Sequence, residues 1–145
     1  MEIADTLGFL LGTWEVSRSY TDHRTGTAAS FHGRAVLAMH AATGQERAWY
    51  EEAGELSLGA HQGAAHRSLE YERRPGGTVM LYRPGRQPYA DLDLTSGAWD
   101  AVHPCGADRY EISTIVRSPG VVQEYWRVRG PEKDYTAVTT MTRTP

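Results

Sequence analysis

The feature that most constrains the fold of this chain is a series of ten short stretches in which apolar and polar residues alternate. Turn-forming residues separate the stretches, for example at 22–26, 75–77 and 118–120. The stretches cover residues 13–21, 28–39, 46–58, 66–74, 78–83, 89–94, 98–103, 109–117, 121–129 and 134–143. Alternation with a period of two is typical of β-strands, and no helical pattern lies between them. The sequence therefore predicts an all-β, up-and-down antiparallel meander rather than a βαβ fold.

A meander of about 8–10 strands can close into a barrel, which removes the sheet edges and leaves room inside for one small ligand. We expect such a closed barrel as a single domain over residues 1–145. Residues 4–11 differ from the rest and predict a short N-terminal helical turn. Asp5 or Thr6 would cap this turn, and its apolar side chains would plug one end of the barrel.

Charge and composition narrow the classes of partner. The formal net charge is -3, from 15 basic and 18 acidic residues mixed along the chain, so a nucleic-acid partner is not expected. Cys105 is the only cysteine, which excludes an internal disulfide and fits a reducing cytosol. No leader sequence is evident, and no apolar run approaches the roughly 18 residues of a membrane-spanning helix. We expect a cytoplasmic protein without a membrane partner.

One set of motifs resembles a known family. An apolar turn followed by Gly12-Thr13-Trp14, with a late Lys133-Asp134-Tyr135 and Arg143, resembles the lipocalin and calycin pattern. The resemblance implies that Trp14 closes the barrel floor and that Arg143 packs across it. The whole chain also resembles uncharacterised bacterial lipocalin-like domains, in Tyr50-Glu51-Glu52, His103-Pro104-Cys105, Asp108-Arg109-Tyr110 and residues 126–131. Barrels of this kind occur in bacterial secondary metabolism.

Alternation also predicts which polar side chains point into the barrel, because alternate residues of a strand share one face. On the first stretch Arg18 and Tyr20 share the inward phase of Trp14. On the third stretch the inward phase holds Tyr50, Glu52, Gly54, Leu56 and Leu58. Glu52 is therefore a predicted interior carboxylate, and Arg18 is its natural partner.

Glu124 on the ninth stretch is a second predicted interior carboxylate, because it shares the phase of Trp126, although Tyr125 makes a competing claim for the other face. Buried charges are costly unless they are paired, so we expect Arg18, Glu52 and Glu124 to form one network. The network is open to two interpretations. It is either an internal salt bridge that fixes strand register, or a ligand anchor or acid/base pair with a carboxyl pKa raised by burial.

A second polar cluster surrounds a turn, at His103, Cys105, Asp108 and Tyr110. In one interpretation Asp108 caps backbone amides and Cys105 fills a small apolar space. In another, His103 pairs with Asp108 as a base or stabilises a nucleophilic Cys105 thiolate. In a third, His103 and Tyr110 are hydrogen-bonding groups at the barrel mouth. The six histidines lack the spacing of metal ligands, so neither a metal nor a cofactor is expected.

Two functions follow from this fold. The first is binding of a small, partly hydrophobic molecule, with ligand-binding residues Arg18, Tyr20, Tyr50, Asp108, Tyr110 and Trp126. The second is a cofactor-free isomerase, cyclase or hydratase, with catalytic residues Glu52, Glu124 and His103. Val36, Ala38 and Trp49 fall in an outward phase and are the one hint of a protein partner, which leaves a homodimer open.

Overall fold

The computed structural model describes residues 2–41 and 46–145, and it contains one antiparallel sheet of ten strands. The elements are α1 (Thr6–Leu10), β1 (Gly12–Asp22), β2 (Ala28–Met39), β3 (Arg47–Leu58), β4 (His61–Arg74), β5 (Thr78–Arg83), β6 (Gln87–Leu92), β7 (Ala98–Cys105), β8 (Asp108–Ser118), β9 (Val121–Arg129) and β10 (Asp134–Arg143). The strand order is β6-β5-β4-β3-β2-β1-β10-β9-β8-β7. The predicted all-β barrel is confirmed.

The barrel closes in two different ways. β1 pairs with β10 along its length, so that Trp14 lies opposite Arg143. The outer strands β6 and β7 have no backbone ladder between them in the described residues. There the Trp99 indole Nε1 donates a hydrogen bond to the Asp91 carbonyl oxygen, 3.1 Å away, and spans the seam. The result is a nearly closed ring with one weakly bonded seam.

The end of the barrel that carries α1 is its floor. Asp5 caps α1 by accepting a hydrogen bond from the Gly8 amide at 3.3 Å, as predicted. Trp14 is 1 % exposed, and its Nε1 donates to the Leu10 carbonyl oxygen at 2.9 Å. The Arg143 guanidinium lies 4.1 Å above the Trp14 ring. The expectation that Trp14 closes the floor and Arg143 packs across it is confirmed.

The opposite end, which we call the mouth, carries the β1–β2, β3–β4 and β7–β8 turns. The inward phase predicted for Arg18, Tyr50 and Glu52 is confirmed, because all three side chains are buried. Leu58 was expected to point inward, but it is 49 % exposed. The reason is its position at the mouth end of β3, where the hairpin tip leaves the packed interior and neither face is covered.

The β5–β6 hairpin is much shorter than its neighbour. β5 and β6 have 6 residues each, whereas β4 has 14, and the β4 residue nearest the mouth that still pairs with β5 is Glu70. The mouth half of β4 therefore has no strand beside it on the β5 side. This gap leaves an opening in the wall that leads into the barrel. No helix in the described ranges has the length and apolar character to cross a membrane.

Candidate functional site

A cavity of about 570 Å³ lies at the mouth, where the short β5–β6 hairpin leaves the wall open. Its walls include Arg67, Tyr89, Tyr110, Trp126 and Tyr135, which come from five different strands. We call this space the mouth cavity. Its volume lies within the roughly 300–1,000 Å³ of typical small-molecule sites, and its lining includes the aromatic rings of Tyr89, Tyr110, Trp126 and Tyr135.

The aromatic rings of the mouth cavity pack against one another. The ring centroids of Tyr89 and Trp126 are 5.4 Å apart, and those of Tyr110 and Trp126 are 6.1 Å apart in an edge-to-face arrangement. The Arg83 guanidinium lies 4.5 Å from the Tyr89 ring centroid. These contacts hold the rings in place, so the apolar wall is formed before any ligand enters.

A recess of about 90 Å³ adjoins the mouth cavity and shares Arg67, Trp126 and Tyr135 with it. The two other polar side chains that line the recess are Arg18 and Tyr20, both of which the sequence predicts as ligand-binding residues. Arg18 reaches the recess from β1, and its Nη1 lies 3.4 Å from the Tyr20 hydroxyl oxygen. The structure thus brings four of the six predicted ligand-binding residues, Tyr110 and Trp126 included, to one continuous space.

Below the recess, Arg18 and Glu52 form a buried bidentate ion pair. Arg18 Nη1 donates to Glu52 Oε2 at 2.9 Å and Nη2 donates to Oε1 at 2.8 Å. The Tyr50 hydroxyl donates to Glu52 Oε1 at 2.7 Å, and Arg18 Nε donates to the Thr139 hydroxyl at 2.8 Å. Burial alone would raise the pKa of the Glu52 carboxyl, but these donors hold it below its usual value. The predicted Arg18–Glu52 pair is confirmed.

Arg67 approaches the same carboxylate from β4, where it pairs in register with Glu52. Its Nη2 lies 3.6 Å from Glu52 Oε1, which is beyond hydrogen-bonding distance. The Arg67 Nε is buried and has no hydrogen-bond partner in the described residues. The Arg67 side chain as a whole is 36 % exposed. Arg67 is therefore a cation at the base of the mouth cavity that the protein leaves only partly satisfied.

Glu124 lies on β9, which β10 separates from the strand β1 that carries Arg18. It accepts a hydrogen bond from Trp126 Nε1 and borders a chamber of about 30 Å³ above the floor, together with Thr114 and Tyr71. Among the described residues it makes no direct ion pair with Arg18 or Arg67. Burial raises the pKa of the Glu124 carboxyl, which favours its neutral form, although both guanidinium groups act on this carboxyl electrostatically and lower its pKa. Thr139 lies between Glu124 and Arg18 in the strand register and accepts a hydrogen bond from Arg18 Nε, and the rest of the Arg18 guanidinium donates to Glu52, so Glu124 has no direct contact with Arg18.

Residues 10–143 match the model of a family of unknown function, DUF6314. The chain belongs to the DUF6314 family. No curated protein matches the sequence. The family match covers all ten strands of the DUF6314 barrel, from the floor tryptophan Trp14 to Arg143.

Three solved structures are similar to the DUF6314 barrel. The S-type phycobiliprotein lyase CPES from Guillardia theta aligns with a TM-score of 0.57 at 11% identity, covering 100% of this chain and 94% of that one. A de novo designed fluorescence-activating β-barrel gives 0.53 at 12% identity, covering 98% and 100%. A redesigned barrel bound to DFHBI gives 0.50 at 10% identity, covering 93% and 99%. At these identities the likeness shows the fold alone.

At the rim of the DUF6314 barrel the β7–β8 ladder arranges the predicted second cluster in two cross-strand pairs, His103 opposite Tyr110 and Cys105 opposite Asp108. Asp108 Oδ2 lies 3.3 Å from Lys133 Nζ, so this carboxylate pairs with Lys133 rather than with His103. The His103 ring packs beside the rings of Tyr89 and Tyr110, with centroids 6.2 and 6.4 Å away. The interpretation in which Cys105 fills a small apolar space is wrong, because Cys105 is the last residue of β7 at the rim and is exposed. Asp108 and Cys105 do not line the mouth cavity.

Arg67 and Tyr135 belong to this site but are not among the residues that the sequence predicts for it. A signal for Arg67 was present in the Gly59-Ala60 turn, where Gly59 has a φ of +60° and allows a two-residue hairpin. That hairpin starts β4 at His61 and puts Arg67 opposite Glu52. Because the fourth strand was predicted to begin at residue 66, this pairing was not seen. Nothing in the local pattern of the tenth strand marks Tyr135 as a residue of the cavity.

Proposed function

We propose that the protein binds one small, partly apolar molecule in the mouth cavity. The observation that carries the proposal is the cavity of about 570 Å³ with preformed aromatic walls and one incompletely satisfied guanidinium at its base. Apolar walls with a few placed polar groups are the usual composition of a ligand site. Arg67 and the hydroxyl groups of Tyr110 and Tyr135 would fix the polar end, and Trp126 would stack on the apolar body.

The Arg18–Glu52 pair has a supporting role in this proposal. Both residues are almost fully buried, and both Glu52 carboxylate oxygens already accept hydrogen bonds. Arg18 and Tyr50 thus hold Glu52 in place, and Glu52 in turn sets the position of Arg67 across the β3–β4 ladder. The pair stabilises the wall behind the ligand and need not contact it.

Binding barrels with a similar fold support the proposal at the level of architecture. One similar barrel holds DFHBI, and another is a phycobiliprotein lyase. We also infer, from the floor formed by Trp14 and Arg143, that the barrel is lipocalin-like and related to the calycins. A cytoplasmic location and a ligand from secondary metabolism belong to this proposal.

The experiment is a fluorescence titration with N-phenyl-1-naphthylamine, an uncharged probe that brightens in apolar surroundings. We expect saturable binding of one probe per chain. Trp126→Leu should weaken that binding at least about tenfold, because it removes the central ring of the wall. Tyr125→Leu is the matched control, because Tyr125 is the neighbouring aromatic residue and is exposed on the outer face. Absence of saturable binding, or equal loss in both variants, would contradict the proposal.

A cofactor-free enzyme is the second candidate, and Glu124 is the observation that favours it. A carboxyl group with a raised pKa next to a ligand cavity can donate a proton, as isomerases, cyclases and hydratases require. Trp126 links Glu124 to the mouth cavity through the indole hydrogen bond. The test is mass and NMR analysis of a bound ligand after incubation. Conversion that disappears in Glu124→Gln while binding persists would support the enzyme, whereas recovery of unchanged ligand would exclude it.

A further inference from the structure

We propose that the ligand of the mouth cavity is an organic anion with a planar apolar body, and that Arg67 binds its acid group. This inference rests on the proposed binding function and deepens it by naming the class of ligand. It comes from the distribution of charge around the cavity rather than from its size or its aromatic content.

The side chains that line the mouth cavity include two arginines and no carboxylate. Arg67 lies at the base, Arg83 lies at the tip of the β5–β6 hairpin, and His66 completes the nitrogen-containing set. The adjoining recess adds Arg18 and likewise has no carboxylate in its lining. The whole chain carries a net charge of -3, whereas the charged side chains that line the cavity are two arginines. The charge of the cavity is therefore opposite in sign to that of the protein around it. A site of this kind attracts anions.

The interior carboxylates do not cancel this charge. Glu52 is matched one-to-one by Arg18 through two hydrogen bonds, and it takes a third from Tyr50. Arg67 is the second cation beside that single carboxylate. Glu124 makes no ion pair with Arg67 in the described part of the chain, and its enclosure favours the uncharged form. At this end of the interior two guanidinium groups, Arg18 and Arg67, thus face the single carboxylate Glu52.

The Arg67 guanidinium has hydrogen-bond donors that no acceptor of the described residues satisfies. Its separation of 3.6 Å from Glu52 is too long for a hydrogen bond, and its buried Nε donates to no atom of the described residues. A buried donor without an acceptor destabilises a protein, and most such groups in folded proteins are satisfied. The planar guanidinium presents parallel N–H groups that match a carboxylate or a sulfonate. An acid group in the cavity would satisfy this donor set.

The remaining polar groups fit the same ligand. Burial raises the pKa of the Tyr89 and Tyr135 phenols, so both stay neutral hydrogen-bond donors at physiological pH. Arg83 lies over the Tyr89 ring, and it forms no ion pair with any described carboxylate. The Trp126 and Tyr110 rings offer faces and edges for a planar body.

The experiment compares two fluorescent probes that differ by one acid group. 1-Anilinonaphthalene-8-sulfonate is an anion, and N-phenyl-1-naphthylamine is the same ring system without the sulfonate. We expect Arg67→Gln to weaken binding of the sulfonate at least about tenfold and to change binding of the neutral probe less than about twofold. Arg34→Gln, which removes an exposed arginine paired with Glu15 on the outer face, should change neither affinity.

Two further variants keep the test decisive if Arg67→Gln folds poorly. Arg67→Lys keeps the charge but not the parallel N–H groups, so its sulfonate affinity should fall between those of wild type and Arg67→Gln. Arg83→Gln removes the rim cation and should weaken binding of the sulfonate probe by about twofold to fivefold, with little effect on binding of the neutral probe. Equal losses for both probes in Arg67→Gln, in a chain with an unchanged circular dichroism spectrum, would overturn the anion assignment but leave the binding function intact. Failure of both probes to bind wild type would instead overturn the proposed function.

Discussion

The floor and the mouth of this barrel use the same chemical groups in opposite ways. At the floor, the Arg143 guanidinium covers the Trp14 ring and donates to the Leu11 carbonyl oxygen at 2.8 Å, so cation, ring and backbone satisfy one another. At the mouth, Arg67 and Trp126 line the same open cavity, and Arg67 leaves one donor unpaired. A cation and an indole can therefore form either a closed structural contact or a site that is completed by a ligand.

The difference teaches where stability and binding are located along the barrel axis. Groups whose partners lie within the protein contribute to the free energy of unfolding, and their loss costs several kcal/mol when they are buried. Groups whose partners are incomplete contribute little to stability and are free to contribute to binding. The two ends should therefore respond separately to mutation, and the following predictions test that separation.

The largest expected effect is at the floor. Trp14→Ala should lower the free energy of unfolding by about 3–5 kcal/mol, because it removes a fully buried ring and the surface on which Arg143 packs. The measurement is urea unfolding followed by circular dichroism. Trp49→Ala, at a tryptophan that is largely exposed on the outer face of β3, is the matched control and should change stability by less than about 1 kcal/mol. Similar losses in both variants would mean that the floor has no special role.

The middle of the barrel should be almost as sensitive. Glu52→Gln should cost about 3–5 kcal/mol, because it leaves the Arg18 guanidinium buried beside a neutral amide. Arg18→Met should cost a similar amount, and the double variant should lose less than the sum of the two single losses. If the losses of the two single variants add up to that of the double variant in unfolding experiments, Arg18 and Glu52 do not stabilise the protein through each other.

Arg67→Met should behave differently from Arg18→Met, although both arginines face the same carboxylate. We expect a change of at most about 1 kcal/mol in either direction, because the substitution removes a partly exposed cation and an unpaired buried donor together. Unfolding curves for the two variants under one set of conditions make the comparison. A loss for Arg67→Met as large as that for Arg18→Met would place Arg67 in the structural framework.

The smallest effect concerns pH. The pKa of Glu124 is raised in the folded protein, so the folded state holds this proton where the unfolded state has lost it. The contribution of Glu124 to the free energy of unfolding is therefore largest below the unfolded pKa of about 4.3. It declines as the pH rises toward the pKa of the folded state. Glu124→Gln should flatten this decline in urea midpoints measured from pH 4 to 8. Thr114→Val provides a control at the same chamber without a titrating group.

The fold was largely predictable because the alternating pattern fixes both the strands and their inward faces. Trp14, Arg18 and Glu52 point inward as the period of two requires. The start of β4 was not predicted, because residues 61–65 lack large apolar side chains and the Gly59 turn alone determines where the strand begins. The exposure of Leu58 was missed for a related reason, since alternation gives the face of a strand but not where the interior ends.

The candidate site was less predictable than the fold. Charge and phase together suggested Arg18 with Glu52, because an inward arginine needs an inward carboxylate. They also grouped Glu124 with the pair, but Arg18 donates to Thr139 and Glu52 rather than to Glu124, and alternation alone does not tell which inward neighbour a side chain contacts. The mouth cavity could not be predicted for a similar reason, because it too depends on several strands together. It exists because one hairpin is short relative to its neighbours, and no single strand encodes that relation.

The β1–β10 ladder has a consequence for how the chain reaches its folded state. It pairs residues near opposite ends of the sequence, such as Trp14 with Arg143, whereas every other described ladder joins strands that follow one another. Contacts of such long sequence separation form late, because the entropy of the intervening chain must be lost first. Until β10 docks, the edges of β1 and β9 expose unpaired amide and carbonyl groups to neighbouring molecules. Weakening β10 should therefore reduce the yield of soluble protein during synthesis before it alters any property of the finished barrel.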